Sequence, residues 1–175
     1  MFHISGKNFL SLALDKRIPL RYAGIKPKKE KNALSALVME GVVDNENKKA
    51  ALMKAAIEAK KLAYAPYSRF SVGAAVMCDD GTFYTGCNIE NASYPCGICA
   101  ERTAVSKAVS EGKRKFRMIA VTGSSAEKCT PCGICRQFLY EFAPEMVVLC
   151  GDKDGAFDEI ALSELLPRGF GASSL

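Results

Sequence analysis

The sequence predicts a layered α/β domain, with helices on the faces of a mixed β-sheet. Two observations lead there: a hairpin pattern, and an alternation of strand and helix patterns after it. From Asn47, apolar residues at 52, 53, 56, 57 and 63 with lysines between them predict an amphipathic helix that stops near Pro66. "FSVGAAVMC" and "TFYTGCNIE" flank Asp80-Gly81, a turn pair, and predict a β-hairpin. "AERTAVSKAVSEG" reads as a second helix ended by Gly112, "FRMIAVTG" as a strand, "CGICRQFLYEFA" as a third helix and "MVVLCG" as a strand. A short helix, "ALSELLP", follows near the end. A hairpin followed by alternating strands and helices gives a mixed sheet covered by helices.

The chain has 175 residues, 49% of them hydrophobic and 25% charged, which fits one domain with a buried core and a tail. Its apolar runs have the length of buried strands and fall short of a membrane span. The net charge of +5 is unevenly placed. Residues 1–31 carry eight of the 24 Lys/Arg against Asp15 and Glu30, leaving 16 basic and 17 acidic side chains on the rest. A groove that tracks phosphates needs its charge on the folded body, so nucleic acid is disfavoured as a partner. Residues 1–46 therefore read as a basic extension and 47–175 as the folded domain. The extension lacks the features of a secretory signal. Cytoplasmic location is expected, with organelle targeting or packing on a partner subunit as other roles for residues 1–46.

Eight cysteines stand at 78, 87, 96, 99, 129, 132, 135 and 150. Without an export signal, metal binding is the stronger reading than a disulfide framework. Cys78 and Cys150 lie in apolar strand patterns and read as inert core. His3, in the extension, is the sole histidine, so a metal site in the body must be built from cysteine, with or without a carboxylate. The tetrapeptide CGIC occurs twice, at 96–99 and 132–135. Two such pairs form either a closed Cys₄ knot or a three-cysteine site with an open fourth place. The 32 residues between Cys99 and Cys132 hold a whole helix and strand, more than the usual spacing of a zinc ribbon. Glu101 lies two residues after Cys99. On an ideal helix such positions diverge by roughly 200°, so the two serve one pocket only if Cys99 sits at the helix entrance. A plain helix-first-turn carboxylate is the other reading of Glu101.

Together, "GCNIENASYP", "CAERTA" and "PCGICRQ", with "YAPYSRFSVGAA" and "LLPRGFG", resemble the motifs of the cytidine deaminase family, in particular the small homotetrameric, three-cysteine type. The resemblance covers about residues 47–175 and implies a three-layer α/β/α sandwich with a mixed sheet. It implies one Zn²⁺ per chain held by Cys99, Cys132 and Cys135, with Cys96 outside the set. Glu101 matches the proton shuttle, and the N–H of Ala100 would help hold the pyrimidine carbonyl. Asn88 and Glu90 match residues that bond the ribose hydroxyls, and Phe70 an aromatic that packs by the nucleoside. Phe170 matches an aromatic that reaches a neighbouring subunit's site in a homotetramer. Arg102 and Arg136 match arginines that offset the negative charge of three thiolates. The implied activity is hydrolytic deamination of cytidine and 2′-deoxycytidine in pyrimidine salvage. Two other readings stand beside it: a related zinc deaminase acting on another small substrate such as blasticidin S, and a zinc-stapled interaction module without turnover.

Overall fold

The structure is a computed structural model, and it describes residues 45–175; the expected basic extension lies outside the described residues except for its last two positions. Helix α1 spans Asn45–Lys60, β1 Val72–Cys78, β2 Phe83–Cys87, α2 Ala100–Ser110, β3 Phe116–Gly123, α3 Gly133–Tyr140, β4 Val147–Gly151, β5 Phe157–Ala161 and α4 Leu162–Leu165. Single 3₁₀ turns occupy Tyr94–Cys96 and Ala172–Ser174. No described helix is long and apolar enough to cross a membrane.

The strands form one mixed sheet in the order β2-β1-β3-β4-β5. The β1–β2 hairpin is antiparallel, with Gly73 opposite Cys87 and Met77 opposite Phe83. Its tip needs Gly81, whose φ of 83° lies in the left-handed region. β1 is also antiparallel to β3, whereas β3 and β4 run parallel and β5 returns antiparallel to β4. The parallel pair needs a crossover, and α3 supplies it.

Alternation along β1 divides the core between the two faces. Ala74, Val76 and Cys78 pack with Ala100, Ala104, Val105 and Ala108 of α2 and Leu139 of α3. Ala75 and Met77 pack on the other face with Leu52, Met53, Ala55 and Ala56 of α1. Helices thus cover both faces, which is the three-layer arrangement expected. Cys78 and Cys150 are fully buried, as expected of core residues.

Two features differ from the sequence reading. Strand β5 falls in a stretch with no strand assigned. Its burial pattern shows little of the contrast that marks an amphipathic strand, and Asp158 and Glu159 are exposed at this sheet edge. It is held by pairing to β4 and by Glu159, which accepts a 2.6 Å hydrogen bond from Lys49 of α1. Helix α1 also ends at Lys60, before Pro66. The Lys60 ammonium donates to Thr122 Oγ1 at 3.2 Å, to the Gly123 carbonyl at 2.9 Å and to the Lys153 carbonyl at 3.1 Å. These bonds tie the helix end to the C-terminal ends of β3 and β4.

Candidate active site

Register gathers the candidate site segments at one end of the strands. Val72 pairs with Gly123 and Gly73 with Cys87, so the start of β1 and the ends of β2 and β3 lie together. The Cys129 N–H donates to the Gly151 carbonyl at 3.0 Å, bringing the cysteine loop to the end of β4. Outside the carboxyl ends of parallel strands is where open α/β sheets form sites.

Helix α2 lies directly on β2. A Cβ on Gly86 would stand 2.5 Å from the Ala104 nitrogen and 2.6 Å from the Ala100 carbonyl, so the helix sits this close only over glycine. Cys99 is the N-cap of α2, in extended conformation (φ −76°, ψ 156°), and its carbonyl accepts the first helical bond, from Thr103. Its direction is therefore not helical, as serving one pocket with Glu101 requires. Cys132 caps α3 the same way (φ −68°, ψ 166°), and Cys135 follows in its first turn.

The Sγ atoms of Cys99, Cys132 and Cys135 lie within 4.8 Å of one another, the one group of three or more such ligands among the described residues. Those of Cys99 and Cys132 are 3.9 Å apart. A tetrahedral zinc ion with bonds of about 2.3 Å spaces its sulfurs by about 3.8 Å. The donor set fits zinc. Cys96 is exposed on its 3₁₀ turn and stands outside the group.

Three thiols this close contest one negative charge. A hydrogen bond from Cys135, against the cost of burial, brings the Cys99 thiol down to about 5, with Arg102 and Cys132 helping. The same bond, with burial, pushes Cys135 up. A bound cation removes that conflict by stabilising all three thiolates. Arg102 adds positive charge: its Nη2 is 3.9 Å from Cys99 Sγ, and its Nε is buried without a partner among the described residues. Burial works to lower the Arg102 pKa, yet its bonds to Cys99 and Cys135 outweigh this and the net direction is up.

Glu101 is 3% exposed and Ala100 fully buried. Burial lifts the Glu101 carboxyl to about 7, against the pull of its own backbone N–H and despite the nearby Cys135 thiol. Arg136 is turned elsewhere: its Nε donates to the Pro131 carbonyl at 2.7 Å and its Nη1 to the Leu165 carbonyl at 2.9 Å. No hydrogen bond from Arg136 to a cysteine sulfur occurs among the described residues.

Beside Cys99 and Arg102 opens a cavity of about 490 Å³, also lined by Tyr67, Ser68, Asn88 and Glu90. Ile89 exchanges both backbone bonds with Ile98, at 2.9 and 3.0 Å, which fixes the Asn88–Glu90 segment against the chain leading into Cys99. Phe70, 37% exposed, lies against Gly123, where an added Cβ would stand 2.6 Å from its Cζ. Phe70, Glu101 and Phe170 do not line this cavity. Phe170 is 59% exposed, and its carbonyl accepts a 2.7 Å bond from Gln137.

Ser68 escaped the sequence reading. Its hydroxyl donates a hydrogen bond to Glu90 Oε1 and accepts the Phe70 N–H at 3.0 Å. A serine two residues before the amide it bonds is the mark of a side-chain turn; that spacing in "YSRF" was the available signal.

A family model for the cytidine and deoxycytidylate deaminase zinc-binding region matches residues 46–150. A cytidine deaminase of Halalkalibacterium halodurans is 49% identical over 125 residues, 71% of this chain and 95% of that protein. The crystal structure of cytidine deaminase from Burkholderia pseudomallei is 44% identical, with a TM-score of 0.66 over 69% of this chain and 97% of its own. That of cytidine deaminase from Mycobacterium tuberculosis is 38% identical, with a TM-score of 0.60 over 69% of this chain and 94% of its own. The model's match over more than half the chain, and relatives this similar along nearly their whole length, mean that the chain belongs to the zinc-binding cytidine and deoxycytidylate deaminase family.

Proposed function

We propose that this chain catalyses zinc-dependent hydrolytic deamination of cytidine and 2′-deoxycytidine to uridine and 2′-deoxyuridine, with release of ammonia. The observation that carries the reading is a convergence at one end of the strands. Three sulfurs spaced for zinc stand together, that of Cys99 beside an open cavity, and a buried carboxylate follows Cys99 by two residues. The catalytic domain runs from about residue 47 to 175, after a basic extension.

Cys99, Cys132 and Cys135 would hold one zinc ion, which when bound lowers the pKa of water toward neutrality. Arg102 offsets the charge of the thiolates, and Arg136 braces the Cys132 loop through the Pro131 carbonyl. Glu101 moves the protons. It takes one from water and delivers it to ring N3 as the water oxygen bonds to C4. It then takes the proton left on that oxygen and gives it to the 4-amino nitrogen; the C4–N bond breaks and ammonia leaves. The Ala100 N–H donates to the pyrimidine carbonyl. Asn88 and Glu90 bond the ribose hydroxyls, and Phe70 packs by the nucleoside. Free cytosine would leave those two polar side chains without their sugar partners, so a nucleoside is preferred over the base. The chains assemble as a homotetramer in the cytoplasm, where Phe170 reaches a neighbouring subunit's site; its exposed ring is consistent with that role.

Ammonia release from cytidine, 2′-deoxycytidine, CMP and blasticidin S tests the reading. The two nucleosides are turned over and the other two are poor substrates. Turnover of blasticidin S alone reassigns the substrate, and no nucleoside turnover by a zinc-loaded protein overturns the enzyme reading in favour of a structural zinc.

A further inference from the structure

We propose that Ser68 is a positioning residue whose hydroxyl couples the Glu90 carboxylate to the backbone turn presenting Phe70, so that one clamp sets both sugar recognition and base packing. The inference rests on the function proposed above and adds a residue to its specificity.

The clamp is built from six hydrogen bonds and a strained backbone. Glu90 Oε2 accepts the N–H groups of Tyr67 and Ser68 at 2.8 and 3.2 Å. Glu90 Oε1 accepts the Ser68 hydroxyl, which in turn accepts the Phe70 N–H at 3.0 Å. Asn88 takes the other side of the same residue: its Nδ2 donates to the Phe70 carbonyl at 2.9 Å. Its Oδ1 accepts the Val72 N–H at 2.8 Å. Both backbone polar groups of Phe70 thus end on this network. Between Ser68 and Phe70 stands Arg69, with φ at 57°, a left-handed conformation that a non-glycine residue adopts at a cost and keeps where its surroundings enforce it.

Donor and acceptor capacity shows what the clamp leaves for a ligand. An ionised carboxylate offers about four acceptor sites; Glu90 spends three of them within the protein. Asn88 spends one amide hydrogen and one lone pair, which leaves one donor and one acceptor site. Both side chains line the cavity, as does Ser68 itself. The Ser68 hydroxyl fixes the rotation of the carboxylate and so decides where its remaining site points. Removing it frees Oε1 and strips the Phe70 amide of its acceptor in one change. Ser68 is exposed and packs in no core cluster, so its replacement leaves the fold intact.

The test is steady-state kinetics of wild type, Ser68→Ala and Ser68→Thr on cytidine and on 2′,3′-dideoxycytidine, which lacks both ribose hydroxyls, with zinc content and thermal midpoint measured alongside. Ser68→Ala should raise KM for cytidine about tenfold, the size of one lost charge-assisted hydrogen bond, with kcat within about threefold. The dideoxynucleoside, which keeps only the base packing, should lose a smaller factor, so the preference for cytidine over it should shrink severalfold. Ser68→Thr, which keeps the hydroxyl, should restore both. A merely structural serine would lower the two substrates' kcat/KM equally, and that result, or an unchanged KM for cytidine, overturns the proposal. Absence of turnover by wild type would instead remove the function on which it rests.

Discussion

Cys99 and Cys132 are 33 positions apart in the chain, yet their Sγ atoms lie 3.9 Å from each other. Each caps a helix in extended conformation, so two helix N-termini meet at the sulfur group. Cys132 is exposed and belongs to neither core cluster. The Cys132→Ser substitution should therefore reduce zinc to near zero per chain while unfolding stays cooperative, as metal analysis beside a thermal scan would show. Cys135 is fully buried, and its replacement by serine should lose zinc and also cost about 1–3 kcal/mol for burying a hydroxyl.

Gly73 marks where α1 crosses the hairpin. A Cβ there would stand 2.0 Å from the Ala56 carbonyl oxygen and 2.4 Å from the Lys60 nitrogen, both backbone atoms that cannot yield. Gly73→Ala should destabilise the domain by about 3 kcal/mol or more, read from denaturant midpoints. Gly133→Ala, where a Cβ meets nothing within 4 Å, should stay within about 1 kcal/mol of wild type.

The turn of the β1–β2 hairpin carries a pH-dependent contribution. The Lys113 ammonium, then the Thr82 hydroxyl and N–H, hold the Asp80 carboxyl down at about 2. A carboxyl whose folded pKa is depressed stabilises the fold above its ordinary pKa, and that stabilisation fades as pH falls toward about 2. The Asp80 side chain is 47% exposed, so solvent screening limits the effect to a few tenths of a kcal/mol. Asp80→Asn should cost that much at pH 7, and the gap from wild type should close near pH 2.

At Arg69 the backbone itself can be tested. Glycine adopts its φ of 57° without steric cost. Arg69→Gly should raise the unfolding free energy by up to about 1 kcal/mol, the relief of left-handed strain less the entropy glycine adds to the unfolded chain. Equilibrium unfolding in urea gives the value.

What the chain reveals in one dimension depends on how local the cause is. Helix α2 and the hairpin were legible because their signals lie within the segment: apolar spacing, Asp80-Gly81, and Gly112 at φ 90° just past the helix. That a metal site in the body would be built on cysteine was legible because few side chain types bind zinc and His3 is the lone histidine; the choice of three sulfurs without Cys96 came from the family resemblance. Strand β5 was not, since "FDEIA" has exposed acids and is a strand through its pairing with β4 and the reach of Lys49. Helix α1 ends at Lys60 in i→i−3 turns from Lys61 to Ala63, and the Lys60 ammonium is held by residues more than 60 positions away. Ser68 was passed over because its meaning depends on Glu90, which lies 22 positions on and is brought back by the Tyr64–Ile89 bridge.

The central claim, three sulfurs for the metal and one carboxylate for the protons, is tested most directly by zinc per chain and ammonia release from cytidine in wild type, Glu101→Gln and Cys96→Ser. The account predicts one zinc per chain in all three proteins, with turnover lost in Glu101→Gln and kept in Cys96→Ser. Loss of zinc from Cys96→Ser, or cytidine turnover at the wild-type rate by Glu101→Gln, would contradict it.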